Sequence, residues 1–586
     1  MSLQLTTISH PTSDITHSSV MIMTSNTGTR NLVGSVPEGL QRRCNEMGTR
    51  ISRLQNIFMS GILDWSRIGG LPGMILTIAD QGVKDLGICH SGNKNILKYM
   101  ISNWRFFVFR FGINLTVHDE LPVREPYKCD GFSMIPINIA PSSLSETPKK
   151  GPFLQKEEEK LKSVTHSNLS KMIDLIFPKP DVNSSNPPAP NKYICNVELP
   201  STVKNQKISI CWIMQGDVIR GRFLPQKAKQ LGCKVEHFKI LCSGKSVTLD
   251  DGTVVLPQDV LEPNRMFAPV LFLDIPSKDH LGPVLEYNWM EELERVNGAD
   301  GVKRYGVVYH FIGDDMYLLL DDPKYVEFIK SFGEETIHFF GSKEYVPNTL
   351  NYVTSFRESF KWSYLLPDMF PLQKFSNEEE RKIPQELAEK YHVKPLTSGQ
   401  HITLNAGITD FASINQALKV DKPVDEQYFY DIFEEEMKPL NFTNSITETE
   451  LHKNMDQRNE KLYLNREIDK TKPLKDQVEC TALGTGSAIP SRFRNVMGNL
   501  LRIPTNNGKK WMSVVLDAGE NTLGSIERLF HKRDVKLIFE ELELIYLSHL
   551  HADHHMGIAG LISKWCRVQI KLPKSQRKCL RCWLVD

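Results

Sequence analysis

The sequence predicts an α/β fold built from two related halves, and three observations lead there. Short apolar runs of β type end in turns and pass into helical patterns, as "LELIYL" (542–547) does before "GIAGLISKW" (557–565). An internal repeat is visible within the chain: "LVGSVPEG" (32–39) parallels "SVVLDAGEN" (513–521), and "IFMSGILDWSRIGGLPGMI" (57–75) parallels "IYLSHLHADHHMGIAGLI" (545–562). The second copy holds His549, His551, Asp553, His554 and His555, whereas the first has no histidine and only Asp64 as a candidate ligand. The first copy therefore reads as a fold kept after its site was lost.

The elements follow in order. "MSLQLTTISHPTSDITHSSVMIM" opens the chain as a first strand, with no arginine before Arg30 and no central apolar stretch of a cleaved signal. "IGGLPGMILTIAD" (68–80) is a turn opening a buried helix. Residues 141–192 turn Pro-, Ser- and charge-rich and read as a mobile insertion with room for one short helix. In "KSVTLDDGTVVLPQDVL" (245–261), Asp251 and Gly252 between apolar runs signal a hairpin. A polar stretch ending in "REIDKTKPLKD" marks 441–476 as a linker, so that 1–440 forms one half and 477–586 the other. "WMSVVLDAGE" (511–520) is a buried strand, and "LELIYL" runs straight into the histidine cluster.

Composition narrows the function classes. At 586 residues the chain is too long for one core. Lys plus Arg at 71 balances Asp plus Glu at 70, so any nucleic-acid contact must come from local patches. Eleven cysteines without a regular framework fit a reduced intracellular protein, and the single CxxC of Cys579 and Cys582 reads as two unrelated thiols. No apolar run reaches the ~18 residues of a membrane span.

Two histidines at i and i+2 leaving a strand point the same way, and an aspartate and a histidine two and three positions later can turn toward a second ion. The spacing predicts His549 and His551 on one zinc ion, Asp553 and His554 on the other. Two such ions about 3.5–4 Å apart suit hydrolysis of a phosphodiester, ester or amide. Asp517, at the end of an adjacent strand, is placed to orient a ligand histidine. His555, the extra histidine, reads as a supporting or structural residue.

HxHxDH after an apolar strand, with an Asp-Gly strand end upstream, resembles the metallo-β-lactamase superfamily. "LGTGSAIPSRFRN" (483–495) is similar to the first turn and PxKxRN loop of tRNase Z, with Arg492 where lysine is usual, and Asn521 stands where "GEGT" has its second glycine. Phrases such as "VPEGLQRRCNE", "GGLPG" and "SFGEETIHFFGSKEYVPNTL" resemble the N-terminal half of the long, fungal form. The resemblance implies a duplicated αββα sandwich, zinc as cofactor with two ions, and removal of the 3′ trailer of precursor tRNA by hydroxide attack, with Asp553 as proton acceptor. It implies that Pro490, Arg492, Arg494 and Asn495 read the acceptor end. It also implies that 226–246 forms a tRNA-gripping arm carrying Lys227, Lys229, Lys234 and Lys239, joined by Lys245. A monomer in nucleus and mitochondrion, and no membrane, complete the expectation.

By the same resemblance the site needs further ligands from later strands. "KLPKSQRKCLRCWLVD" (571–586) has no histidine and reads as an abrupt end, not the next β-unit, so the sequence predicts an incomplete and inactive catalytic half. Two alternatives stay open: a hydrolase of another metallo-β-lactamase branch, and a non-catalytic tRNA-binding scaffold.

Overall fold

Leu3, Leu5, Val20 and Ile22 are fully buried on neighbouring antiparallel strands, and this alternation starts the N-terminal sandwich. The computed structural model describes residues 1–92, 95–146, 165–179, 197, 199–201, 203–298, 301–366, 369–370, 381–421, 464, 467–505 and 508–584, with isolated residues between 424 and 436.

The first sheet has eight strands, with Ser2–Ser9, Ser19–Thr24, Arg30–Gly34, Leu54–Met59, Asp85–Cys89 and Asn114–His118 in chain order across it, and Gln400–Asn405 and Leu418–Val420 extending the other edge. A seven-stranded sheet faces it, with Ser209–Gly216, Val270–Ile275, Val307–Ile312 and Ile337–Gly341 at its centre. Phe58, Trp212, Phe272, Tyr309 and Phe339 fill the space between the sheets. Helices cover both outer faces: Leu71–Asp80 and Ile96–Ser102 pack on the first sheet, Lys278–Glu286, Trp289–Asn297 and Pro323–Lys330 on the second. The layers are α, β, β and α.

The C-terminal half has a five-stranded sheet ordered Glu479–Gly484, Gly498–Thr505, Lys510–Ala518, Leu542–Leu547, Arg581–Leu584. Its pairings run antiparallel, antiparallel, parallel, parallel, and the first five strands of the N-terminal half pair in the same sequence. The repeat read from the sequence is thus a repeat of topology. Helices Thr522–Leu529, Lys532–Glu541 and Ile558–Ile570 enclose a core around Val515, Ile538, Ile545 and Leu561.

Two expectations are corrected. Within the insertion, residues 165–176 are helical and bury Leu169, Met172, Ile173 and Ile176, the last three in the N-terminal core, because their i, i+3, i+4, i+7 spacing makes one apolar face; residues 147–164 and 180–196 lie outside the described residues. The 571–586 segment does supply the next β-element, since Arg581–Leu584 pairs in parallel with Leu544–Leu547 through its backbone although its side chains are exposed. The hairpin expected in 245–261 is present as the Val247–Thr248/Val254–Val255 ribbon, and helices Pro225–Gln230 and Val235–Cys242 join it over a small core of Ala228, Cys233, Leu241 and Val260. Most of the 441–476 linker lies outside the described residues. Among the described residues, no helix is long and apolar enough to cross a membrane.

Candidate metal centre

The strand Leu542–Leu547 is drawn into the sheet by Ile545 and Leu547 and ends at Ser548, where the chain turns through His549 to His551 into the short helix Ala552–His555. This turn sits against the end of Lys510–Ala518, and only glycines permit the approach. A Cβ on Gly519 would lie 2.3 Å from Asp553 O, and one on Gly557 would lie 2.2 Å from Gly519 O. Gly557 N–H closes the contact by donating to Ala518 O at 2.8 Å.

Asp517 stands in the left-handed region (φ 55), which aspartate tolerates through local hydrogen bonding. Its Oδ1 accepts from Ser548 N–H at 2.8 Å, and its Oδ2 takes the Ser548 hydroxyl at 2.9 Å and His554 Nδ1 at 2.8 Å. Burial works against its charge, yet the Ser548 N–H, His554 and the Ser548 hydroxyl together hold the carboxyl below the usual range. A carboxylate accepting at Nδ1 fixes the proton there and leaves the Nε2 lone pair of His554 toward Asp553 Oδ2, 3.5 Å away. Ser548 Oγ also lies 3.0 Å from His549 Nδ1; with its own proton given to Asp517 it accepts from that ring, leaving Nε2 for a ligand. His549 Nε2 lies 3.0 Å from His551 Nδ1.

The structure gathers the expected ligands in one cluster: His549 Nε2 and His551 Nδ1 lie 3.0 Å apart, Asp553 Oδ2 and His554 Nε2 3.5 Å, and the His549 and His554 rings 4.1 Å between centroids. Zn–N bonds of 2.0–2.1 Å at tetrahedral angles separate two nitrogens by about 3.4 Å, so the first pair fits one ion with little movement. Asp517 orients His554 as the spacing suggested. His555 is buried, its ring 5.0 Å from that of Phe107 in the N-terminal half and edge-on to it. Ser548 was missed; its signal was its place between the strand Leu542–Leu547 and the first histidine.

Among the described residues, one group of three ligand-type residues converges within 4.8 Å, Asp119, Glu120 and His166. Lys98 Nζ lies 3.3 Å from Asp119 Oδ1 and 3.1 Å from His166 Nε2, so an ammonium already holds the cation position.

In the first copy of the repeat, Arg67 precedes Gly70 by three residues as His554 precedes Gly557, and Ser35 stands where the other copy has Asp517. The pair persists with its chemistry changed: Arg67 Nη1 lies 3.4 Å from Ser35 Oγ and donates at 2.7 Å to Asp274, whose Oδ2 also accepts from Ser60 Oγ at 2.6 Å. A buried guanidinium occupies the place of a ligand and carries its own positive charge. This is the physical sense in which the copy is degenerate.

The loop 484–496 leans on the centre. Asp553 Oδ2 accepts from Ala488 N–H at 2.7 Å. Of the four residues expected to read RNA, Arg492 and Arg494 are exposed, whereas Pro490 and Asn495 are buried. Asn495 Nδ2 is spent on Glu520 O at 3.0 Å, so it anchors the loop. Phe493, 49% exposed with Arg492 over its ring at 5.2 Å, adds an aromatic surface that sequence reading passed over. On the arm, Lys227, Lys229, Lys234, Lys239 and Lys245 are all exposed, with Lys234 paired to Asp250 at 2.8 Å. Asn521 adopts φ 63 without a glycine, and its Nδ2 donates to Tyr352 Oη at 3.0 Å.

A four-layer sandwich followed by a second sheet that repeats its strand pairing, with candidate ligands among the described residues at a strand end of the second copy, is a duplicated metallo-β-lactamase fold. A family model for tRNase Z endonuclease matches residues 6–70. Ribonuclease Z of Saccharomyces cerevisiae is 34% identical over 99% of this chain and 69% of its own length, and the mitochondrial ribonuclease Z of Drosophila melanogaster is 28% identical over 91% and 59%. The crystal structure of a long form RNase Z from yeast superposes with a TM-score of 0.73 at 27% identity, over 98% of this chain and 69% of that one. The chain belongs to the ribonuclease Z family, and spans less than two thirds of the length of its animal relatives.

Proposed function

We propose that the chain acts on precursor tRNA as a zinc-dependent endoribonuclease that removes the 3′ trailer. The observation that carries this is the bond from Asp553 to Ala488, which ties a metal-ligand residue to the loop presenting Arg492, Phe493 and Arg494. Zinc held by His549 with His551, and by Asp553 with His554 as a second ion, would supply Lewis acidity to a phosphodiester and to water. The chain's own groups bind and orient: Arg492 and Arg494 meet phosphates, Phe493 offers a face for a base, the arm lysines take the tRNA body, and Ser548 and Asp517 keep the histidine lone pairs aimed inward. Asp553 is the proton acceptor in this reading.

A monomer fits, because equivalent surfaces of the two copies meet inside one chain: Arg528 reaches Asp14 and the carbonyls of Asn348 and Thr349, while Arg42 reaches Ser491 O. Residence in nucleus and mitochondrion belongs to the reading, and the designation of the Drosophila relative as mitochondrial supports the second. A second reading, tRNA binding without cleavage, is favoured by the ligands lying in one cluster within one turn. Incubation of the purified chain with precursor tRNA and zinc separates them. Release of a trailer, lost in the double variant His549→Ala/His551→Ala, supports the enzyme; binding without release supports the scaffold; neither overturns both.

A further inference from the structure

The recognition loop of the metal-bearing half is held from within by a residue of the other half. Arg42, on helix Leu40–Glu46, is 4% exposed and cannot itself reach solvent. Its Nε donates to Ser491 O at 2.7 Å, its Nη2 lies 3.4 Å from Arg492 O, and its guanidinium stacks 4.0 Å over the Tyr352 ring. Tyr352 Oη is fixed in turn, donating to Gly39 O and accepting from Asn521 Nδ2, each at 3.0 Å.

The loop is thus pinned at three places: Ala488 by Asp553, 491–492 by Arg42, and Asn495 by Glu520 O. Between the pins a tight turn, with Ser491 N–H on Arg494 O at 3.0 Å, sends the side chains of Arg492, Phe493 and Arg494 outward. A contact in the opposite direction, from a different position on the matching helix, has a different chemistry. Arg528, on the matching helix of the C-terminal half, takes the Asp14 carboxylate as well as two carbonyls, and so neutralises and seals the loop it holds. Arg42 takes carbonyl oxygens and a ring, with Asp14 and Glu46 among the charges acting on it from further off, so its direct bonds go to the loop backbone.

We infer that Arg42 is a positioning residue for RNA recognition, which fixes the 490–495 backbone without touching the ligand. This rests on the reading of the loop as RNA-facing. The test uses the full chain and an acceptor-stem minihelix RNA with a single-stranded 3′ extension, which lacks the elbow that the arm lysines would grip. Arg492→Ala is expected to weaken binding on the order of tenfold. Arg42→Ala should weaken it similarly, with the double variant less than additive, and should raise amide exchange at 488–495 above that of the neighbouring strands. Arg42→Gln, which keeps one donor to Ser491 O, should recover part of the exchange protection and of the affinity, and it serves in place of the alanine variant if that one does not fold. If Arg492→Ala weakens binding while the Arg42 variant that folds changes neither affinity nor loop exchange, or the double variant is additive, positioning is overturned. If Arg492→Ala and Arg494→Ala both leave affinity unchanged, the RNA-facing reading itself fails.

Discussion

Glu38 and Glu520 hold equivalent places in the two copies of the repeat, and each carboxylate caps the helix of the other copy. Glu520 Oε1 accepts from Gly39 N–H at 2.9 Å, and Glu38 Oε2 accepts from Asn521 N–H at 2.8 Å. Gly39 and Asn521, both left-handed at φ 85 and 63, are the residues that open helices Leu40–Glu46 and Thr522–Leu529. Two equivalent glycines make room for the exchange: a Cβ on Gly73 would lie 2.1 Å from Glu520 Oε2, and one on Gly560 2.7 Å from Glu38 Oε1. The halves meet about a local pseudo-twofold, like an isologous dimer joined into one chain.

Burial pushes the Glu520 carboxyl up to about 8, against the Gly39 hydrogen bond and with the help of Glu38, itself raised to about 7 chiefly by burial. The folded state then keeps protons that the unfolded chain, with an ordinary carboxyl near 4.5, has released. This contribution is full below pH 4.5 and declines as pH rises toward about 8. Between pH 5 and 8 the unfolding free energy should fall by on the order of 1–3 kcal/mol, and Glu520→Gln should flatten the slope. Denaturant melts at stepped pH measure it; an unchanged slope in the variant contradicts it.

Gly73→Ala should cost about 1–3 kcal/mol, since its methyl overlaps a carboxyl from the other half. Combining it with Glu520→Ala, which removes the obstructing group, should cost less than the sum. Denaturant titration of the four chains gives the coupling.

Arg67→Ala should destabilise by about 3–5 kcal/mol, because Asp274 is then left buried with its charge uncompensated. Replacing both residues by alanine should restore part of the loss. A double-variant loss equal to the sum of the Arg67→Ala and Asp274→Ala losses would show that the pair does not act as a unit.

How legible was this in the chain? The repeat was readable, and so was the gathering of His549, His551, Asp553 and His554 near Asp517, because each lies within one short segment whose spacing reports its geometry. So were Glu38 and Glu520 as equivalents, though not their exchange, which joins residues from opposite halves. Arg42 and Tyr352 carried no signal, since their role comes from packing against a loop far along the chain. Arg67 was overlooked for another reason: a search for ligands passes over a cation that has replaced one. Pro490 and Asn495 were grouped with Arg492 and Arg494 by motif, and only burial separates anchors from exposed side chains.

Asp517→Asn should weaken zinc binding about 10–100-fold, since the carboxylate that fixes the His554 proton at Nδ1 becomes an amide able to present either a donor or an acceptor. Competition with a chromogenic chelator reads the change, and the fold should survive because Ser548 keeps an acceptor at the same position.

In the proposed reading, one copy of the repeat holds metal and the other is closed to it by Arg67 and Asp274. Zinc content per chain, measured by elemental analysis after dialysis, tests it most directly in the wild type, His549→Ala/His551→Ala, and Asp119→Asn. Zinc bound by the wild type and by Asp119→Asn but lost from the histidine variant is the predicted result. Zinc retained undiminished without His549 and His551 would place the metal elsewhere and contradict the account.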